Sequence, residues 1–252
     1  MSIWIIGGTG DSAIVAKAIS AVVTHYIVTV TTPDAIALYD STCCVAVGKM
    51  NQDLMPKFCH RHSVDAIVDA SHHFAVEVSQ NAIAVAQKLN LPYLRYERLE
   101  VTADSSNSVR ELDSFTTLLA GDYLLKHRVL LTVGCQVLPL FKDWQERAIL
   151  FTRILPKLDS LQIALDSGFT SDRIVALRPP FTAALERALW HKWRISLVVT
   201  KASGTSSGQD IKQKVAQQLG ISLITIARPK VVYPLQTSAI SQVVEFCQQY
   251  AD

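Results

Sequence analysis

The sequence lacks any long uncharged apolar run, and no stretch reaches the roughly 18 residues that a membrane-spanning helix needs. Charge of one sign is also scarce, since 24 Lys and Arg residues face 22 Asp and Glu residues. This balance gives no electrostatic reason to expect nucleic acid or a membrane surface as a partner. The short apolar start carries no basic segment and reaches glycine at once, so we expect a strand and not a signal peptide.

Cysteine is sparse as well. The five cysteines are odd in number and show no C-x-x-C spacing, which predicts a cytoplasmic protein without a disulfide framework. Cys59, His60 and His62, with His72 and His73 further on, suggest a metal cluster as an alternative. Their spacing matches no standard zinc pattern, so we predict no metal ligand.

Apolar residues are plentiful, at 49% of 252 residues, which is enough for a sizeable core. Short apolar runs alternate with longer amphipathic stretches, the βαβ pattern of a parallel sheet covered by helices on both faces. The predicted fold is α/β, with two Rossmann-like lobes, parallel sheets and a ligand cleft between the lobes. The predicted boundaries are a dinucleotide-binding lobe at 1–98, a polar linker at 99–113 and an α/β lobe at 114–252, and the chain is expected to be a monomer.

The periodicity places strands and helices along both lobes. The predicted strands are 3–6, 26–31, 43–47, 66–69, 92–95, 129–133, 149–153, 174–177, 195–200 and 222–226. The predicted helices are 11–23, 51–62, 75–89, 114–121, 158–168, 182–191, 209–219 and 238–250.

The strongest local signal is the strand–turn–helix segment IWIIGGTGDSA, in which Gly8, Gly10 and Ala13 follow the relaxed dinucleotide fingerprint. Gly8 permits a tight turn and Gly10 permits close approach of a phosphate. The amides of the helix start would hold a pyrophosphate. The predicted cofactor contacts at this turn are Gly8, Thr9, Gly10, Asp11 and Ser12. The alternative is a glycine-rich turn that binds nothing.

The choice of nucleotide depends on the end of the second strand. An NAD site usually carries an acidic residue there, but this strand ends in Thr31 and Thr32, and the first acid is Asp34, beyond a proline. Thr31 and Thr32 would hydrogen-bond a 2′-phosphate, although no arginine stands beside them. We therefore expect NADPH, with NADH as the alternative.

Two further crossovers bring polar residues to strand ends. After the strand at 66–69, Ser71 is expected to cap the next helix and contact the cofactor, and His72 to meet a ligand, unless it is an ordinary loop residue. In the second lobe, cations and flexible backbone follow three strands and suit a carboxylate-bearing ligand. These predicted substrate contacts are Gly134, Arg178, Lys201, Ser203 and Gly204.

Five segments in the same order resemble the precorrin-6A reductase family of corrin-ring biosynthesis, including its cobalt-precorrin-6A branch. They are IIGGTGDSAIVAKAI, VDASHHFAVEVSQNAIAVAQKLNLPYLRYER, RVLLTVG, LRPPFTAALERAL and LVVTKASGTSSGQDIKQKVAQQLGISLITIARP.

The sequence departs from this family's pattern at four places. His73 replaces the usual proline, and Pro179 stands where R-G-P-F has glycine. The S-x-A-G-R-T segment lacks its arginine at 29–34, and the glycine stretch is reduced to Gly48-Lys49-Met50.

The resemblance implies hydride transfer from a nicotinamide nucleotide to one double bond of a tetrapyrrole-derived macrocycle. It implies that Arg98, Arg178 and Lys201 bind the acetate and propionate groups of that substrate, and that His72 delivers the proton. Two alternatives stand beside it. One is a short-chain-type reductase, although the Tyr-x-x-x-Lys pair is absent, and the other is a nucleotide sensor without catalysis.

Overall fold

The structure is a computed structural model that describes residues 2–99, 109–204 and 208–250. Its residues form two compact units, one built from Met1–Leu99 with Pro229–Asp252 and the other from Glu100–Arg228. The predicted second lobe at 114–252 is therefore wrong at its C-terminal end. The segment from Pro229 onward belongs to the first unit and not to the second.

The strands and helices follow the predicted order, with ends that differ by a few residues. The strands are β1 Ser2–Ile6, β2 Tyr26–Val30, β3 Val45–Val47, β4 Val64–Asp69, β5 Tyr93–Tyr96, β6 Val109–Leu112, β7 Arg128–Thr132, β8 Ile149–Ile154, β9 Ile174–Ala176, β10 Leu197–Lys201, β11 Ser222–Ile226 and β12 Gln236–Thr237. The helices are α1 Gly10–Ile19, α2 Leu54–Arg61, α3 Val76–Leu89, α4 Phe115–Ala120, α5 Leu158–Asp166, α6 Ala183–Lys192, α7 Gln209–Leu219 and α8 Ile240–Gln249. Among the described residues, 3₁₀ helices cover Pro33–Leu38, Cys135–Trp144 and Ser171–Arg173.

Each unit holds one parallel sheet of six strands. The first has the order β3-β2-β1-β4-β5-β12, and the second has the order β9-β8-β7-β10-β11-β6. In each sheet the first five strands follow the 3-2-1-4-5 order of a doubly wound dinucleotide-binding fold, and the sixth position is taken by β12 in the first sheet and by β6 in the second. The predicted α/β fold with two parallel sheets is confirmed.

The sixth strand of each sheet comes from an unexpected part of the chain. β6 follows β5 in sequence but pairs with β11, and β12 follows β11 but pairs with β5. The predicted linker at 99–113 is therefore wrong at Val109–Leu112, which forms a strand; residues 100–108 lie outside the described residues. Strands of four and two residues leave almost no periodic signal, so the sequence pattern did not reveal them.

The first sheet is covered on both faces because successive residues of a strand point to opposite sides. In β1, Ile3 and Ile5 join a core with α1 and α8, whereas Trp4 and Ile6 join a core with α2 and α3. Helix α8 contributes Val243, Phe246 and Cys247 to the first of these cores, which is why the chain end packs in this unit.

The second unit has a similar core between its sheet and two helices. Trp190 and Trp193 lie at the end of α6, and Val215 and Ala216 come from α7. They pack on apolar residues of β7, β8, β10 and β11. No helix in the described part of the chain is long and apolar enough to cross a membrane.

Candidate functional site

The glycine turn after β1 is held by a capping box at the start of α1. The Thr9 hydroxyl accepts from the Ser12 N–H, and the Ser12 hydroxyl oxygen accepts from the Thr9 N–H, each at 3.0 Å. The Ser12 hydroxyl donates to the Thr9 carbonyl, and that of Thr9 donates to the Ala70 carbonyl. We predicted that both hydroxyls bind the cofactor, but here they shape the turn, since Ser12 is fully buried.

The backbone N–H groups of Gly10 and Asp11 have no acceptor among the described residues. They open α1, where the first N–H groups of a helix have no intrahelical partner. A Cβ built on Gly8 or Gly10 would meet no atom within 4 Å, so the space beside the turn is open. The first N–H groups of α1, the helix dipole and the open space beside the turn together fit a diphosphate.

Gly7, which the fingerprint leaves out, is the glycine that packing requires. A Cβ there would lie 2.4 Å from the Tyr39 hydroxyl and 2.7 Å from Cγ1 of Val28. The Tyr39 hydroxyl accepts from the Gly8 N–H at 2.8 Å and lies 2.6 Å from the Ser12 hydroxyl. The sequence analysis missed Tyr39, whose partners are about 30 positions away and leave no local signal.

Thr31 and Thr32 follow β2 and are exposed, as a contact to an adenosine ribose or its phosphate would require. Thr32 directly precedes the 3₁₀ helix Pro33–Leu38, and its carbonyl accepts from the Ala35 N–H. The predicted role of both threonines in choosing NADPH stays a prediction.

A buried set of charged residues lies at the ends of β4 and β5, next to the glycine turn. We call Asp69, His73, Arg95 and Glu97 the β4–β5 charge cluster. Asp69 and Arg95 are register partners on the two strands, and Nη1 of Arg95 lies 2.9 Å from Oδ1 of Asp69. Nε of Arg95 lies 3.2 Å from Oε2 of Glu97, and Nδ1 of His73 lies 2.9 Å from Oε1 of Glu97.

Hydrogen bonds around this cluster satisfy its central carboxylate. Asp69 accepts from the Ser71 N–H, the Ser79 hydroxyl and the Tyr93 hydroxyl at 2.6–3.0 Å. Burial alone would raise the pKa of Glu97, but the contacts with His73 and Arg95 win and hold it at about 2. The contacts of Arg95 with Asp69 and Glu97 therefore form an internally paired, buried unit at the ends of β4 and β5.

The loop after β4 carries the predicted residues Ser71 and His72. Ser71 does not cap α3, whose N-cap is Ala75; its hydroxyl accepts from Nη1 of Arg95 instead. His72 is exposed, and its Nδ1 accepts from the Phe74 N–H at 3.2 Å. This hydrogen bond places the proton of a neutral ring on Nε2.

Arg98 lies just beyond β5, and its Nε is 2.7 Å from Oδ1 of Asp11 in the first turn of α1. Both side chains are partly exposed, at 29% for Arg98 and 13% for Asp11. The sequence analysis placed Arg98 at the substrate and Asp11 at the cofactor. The structure brings the two residues together.

In the second unit, Gly134 follows β7, and Lys201 is the last residue of the neighbouring strand β10. Gly134 has φ +81° and opens the 3₁₀ helix Cys135–Trp144. The ammonium of Lys201 lies 5.8 Å from the ring centre of Phe115, and burial lowers its pKa to about 8 although Cys135 opposes the shift. Lys201 is thus a half-buried cation at the end of β10, and its predicted contact with a substrate carboxylate stays a prediction.

Ser203 is buried and the Gly204 N–H is already hydrogen-bonded, so both are less accessible to a ligand than the sequence predicted. Ser203 is 8% exposed, and the Gly204 N–H donates to Oε1 of Gln209 at 2.9 Å. The Gly204 amide that we expected to bind the ligand is thus used inside the loop. Arg228, which the sequence analysis missed, follows β11 and donates from Nε to the Ala202 carbonyl.

Arg178 is exposed and follows β9, the edge strand of the second sheet. Strand β8 separates β9 from β7, so Arg178 lies further from Lys201 along the sheet than Gly134 does. Across residues 2–99, 109–204 and 208–250, no group of three His, Cys, Asp or Glu side chains is arranged to hold a metal ion.

The fold and the glycine turn define the class: an α/β protein with a six-stranded parallel sheet in each unit and a glycine-rich strand–turn–helix in the first. The family model described as Precorrin-6x reductase CbiJ/CobK matches residues 2–248. The chain belongs to this family, so the resemblance noted in the sequence is confirmed, and the chain is an oxidoreductase of cobalamin biosynthesis.

Individual relatives agree over nearly the whole chain. A cobalt-precorrin-6A reductase of Synechocystis sp. is 45% identical and covers 99% of this chain and 97% of its own. The cobalt-precorrin-6A reductase of Priestia megaterium is 33% identical and covers 96% of each. The solved structure of a CobK precorrin-6A reductase has a TM-score of 0.81 at 21% identity and covers 99% of this chain and 97% of its own. At this sequence identity, the similarity to the solved structure shows a shared fold only. Family membership favours a reductase over the sensor and over a short-chain-type enzyme.

Proposed function

We propose that this chain reduces one carbon–carbon double bond of precorrin-6A, with or without cobalt, to the 6B form, and that NADPH is the hydride source, with NADH as the alternative. The observation that carries the proposal is the open space at the start of α1, where Gly10 and Asp11 begin the helix, in a chain of this family. The amides of these two residues would hold the diphosphate, and Thr31 and Thr32 the adenosine end.

The bound nicotinamide supplies a hydride to one carbon of the double bond, and a proton must reach the other carbon. His72 is the proposed proton donor, because it is exposed on the loop after β4 and histidine is the residue type whose protonation ordinarily changes near neutral pH. Lys201, Arg178 and the backbone at Gly134 are proposed to hold carboxylates of the macrocycle in place.

The test is an anaerobic assay with the macrocycle and either nucleotide, following nucleotide absorbance and the macrocycle spectrum together. Oxidation of one nucleotide per macrocycle reduced supports the proposal. Binding of nucleotide without turnover of either macrocycle would refute it.

The part of His72 is tested with His72→Ala. We expect turnover to fall about 10²-fold or more, as when a general acid is lost, with nucleotide affinity nearly unchanged. The exposed His60 on α2 provides the matched control, His60→Ala, which should keep full turnover. Wild-type turnover by His72→Ala would leave water or a substrate carboxylate as the donor.

A further inference from the structure

The ion pair between Asp11 and Arg98 joins two strand ends that the chain keeps 87 positions apart. Asp11 follows β1 through the glycine turn, and Arg98 follows β5, with β4 lying between those strands in the sheet. The pair therefore spans the end of β4, where Ala70 accepts from Thr9. This is the edge along which a dinucleotide held at α1 would extend.

The charge of Asp11 needs explanation at this position. A carboxylate in the first turn stabilises an empty helix through the helix dipole, but it repels a diphosphate bound to the same amides. One of those amides is the N–H of Asp11 itself. Without a nearby cation, the turn would offer a negative charge to a negative ligand.

Arg98 supplies that cation. Its Nε lies 2.7 Å from Oδ1 of Asp11, so the two opposite charges are in direct contact at the start of α1. Both charges also act on Tyr96 at the end of β5. Burial raises the pKa of this tyrosine, Asp11 adds to the shift and Arg98 opposes it.

We propose that Arg98 is a positioning residue for the nucleotide, which cancels the charge of Asp11 at the diphosphate subsite and keeps the turn able to accept phosphate. This inference rests on the proposed function. It gives Arg98 a role in the first unit beside, or in place of, the predicted contact with macrocycle carboxylates.

The experiment is a double-mutant cycle on nucleotide affinity, measured by titration of nucleotide fluorescence without macrocycle. Arg98→Met should raise the Kd for NADPH about tenfold, because it leaves Asp11 uncompensated. Asp11→Asn in the same chain should restore the Kd to within about threefold of the wild type, and Arg98→Lys should keep most of the affinity. Arg61→Met, an exposed arginine at the end of α2, is the matched control and should bind as the wild type does.

Each outcome separates the competing explanations. Unchanged NADPH affinity in Arg98→Met with a raised KM for the macrocycle would overturn the inference and return Arg98 to the substrate. A weakened Arg98→Met that Asp11→Asn does not rescue would also overturn it, since charge cancellation would not be the cause. Failure of the wild-type chain to bind NADPH or NADH would instead refute the proposed function itself.

Discussion

Replacing Arg95 by methionine should destabilise the first unit far more than the same change at Arg98. Arg95 is fully buried and paired with Asp69 and Glu97, whereas Arg98 is 29% exposed. Removing one member of a buried ion pair typically costs about 3–5 kcal/mol, because the remaining charge stays buried, while an exposed pair contributes about 0–1 kcal/mol.

The structure places Arg95→Met at the lower end of that range. Asp69 would keep hydrogen bonds from the Ser71 N–H and the hydroxyls of Ser79 and Tyr93, and Glu97 would keep its contact with His73. We therefore expect a loss of about 3 kcal/mol in the free energy of unfolding, against about 1 kcal/mol or less for Arg98→Met.

Urea unfolding followed by circular dichroism measures the loss, and hydrogen exchange of β4 and β5 amides localises it. Arg95→Lys, which keeps the charge without the guanidinium fork, should fall between the wild type and Arg95→Met. Equal stabilities of Arg95→Met and Arg98→Met would show that the β4–β5 charge cluster does not hold these strand ends together.

Three more predictions follow from the same geometry. The ionised form of Glu97 contributes stability that is complete above the ordinary pKa of 4.5 and is lost as the pH falls towards about 2. Glu97→Gln should therefore lower the free energy of unfolding by about 3 kcal/mol at neutral pH, and the stability of this variant should depend less on pH in the acid range. Gly7→Ala should lower the melting temperature, because the new Cβ would clash with the Tyr39 hydroxyl. Gly10→Ala should leave the melting temperature unchanged but weaken nucleotide binding at least tenfold, because its Cβ would fill the space proposed for the phosphate. The KM for the macrocycle should rise as pH increases through about 8, where Lys201 loses its charge, and Lys201→Met should show a high KM without that dependence; the same pH profile in both proteins would refute this role.

The local sequence was sufficient to predict most of the glycine turn in the first unit. The run of apolar residues before Gly7 and the small residues after it require a strand, a turn and a helix in that order, whatever the rest of the chain does. Hydroxyl groups with two possible hydrogen-bonding roles could not be assigned from local sequence. The Ser12 hydroxyl could bind a phosphate or take part in a capping box. Only the folded turn shows that it hydrogen-bonds Thr9 in the capping box.

The charged residues within apolar strands were a signal that went unused. Asp69 and Arg95 interrupt otherwise apolar runs, and a charge buried in a parallel sheet must find a partner. That partner cannot be chosen from sequence, because Asp69 and Arg95 are 26 positions apart and meet only when β4 and β5 align in register.

The sequence by itself determined the alternation of strands and helices, the two parallel sheets and the family, because periodicity and local motifs are properties of short segments. The tertiary structure alone decided the exchange of β6 and β12, the return of α8 to the first unit, and the pairs Asp69–Arg95 and Asp11–Arg98. These features depend on which distant segments find an open sheet edge, an uncovered face or an opposite charge, and only the folded chain brings them together.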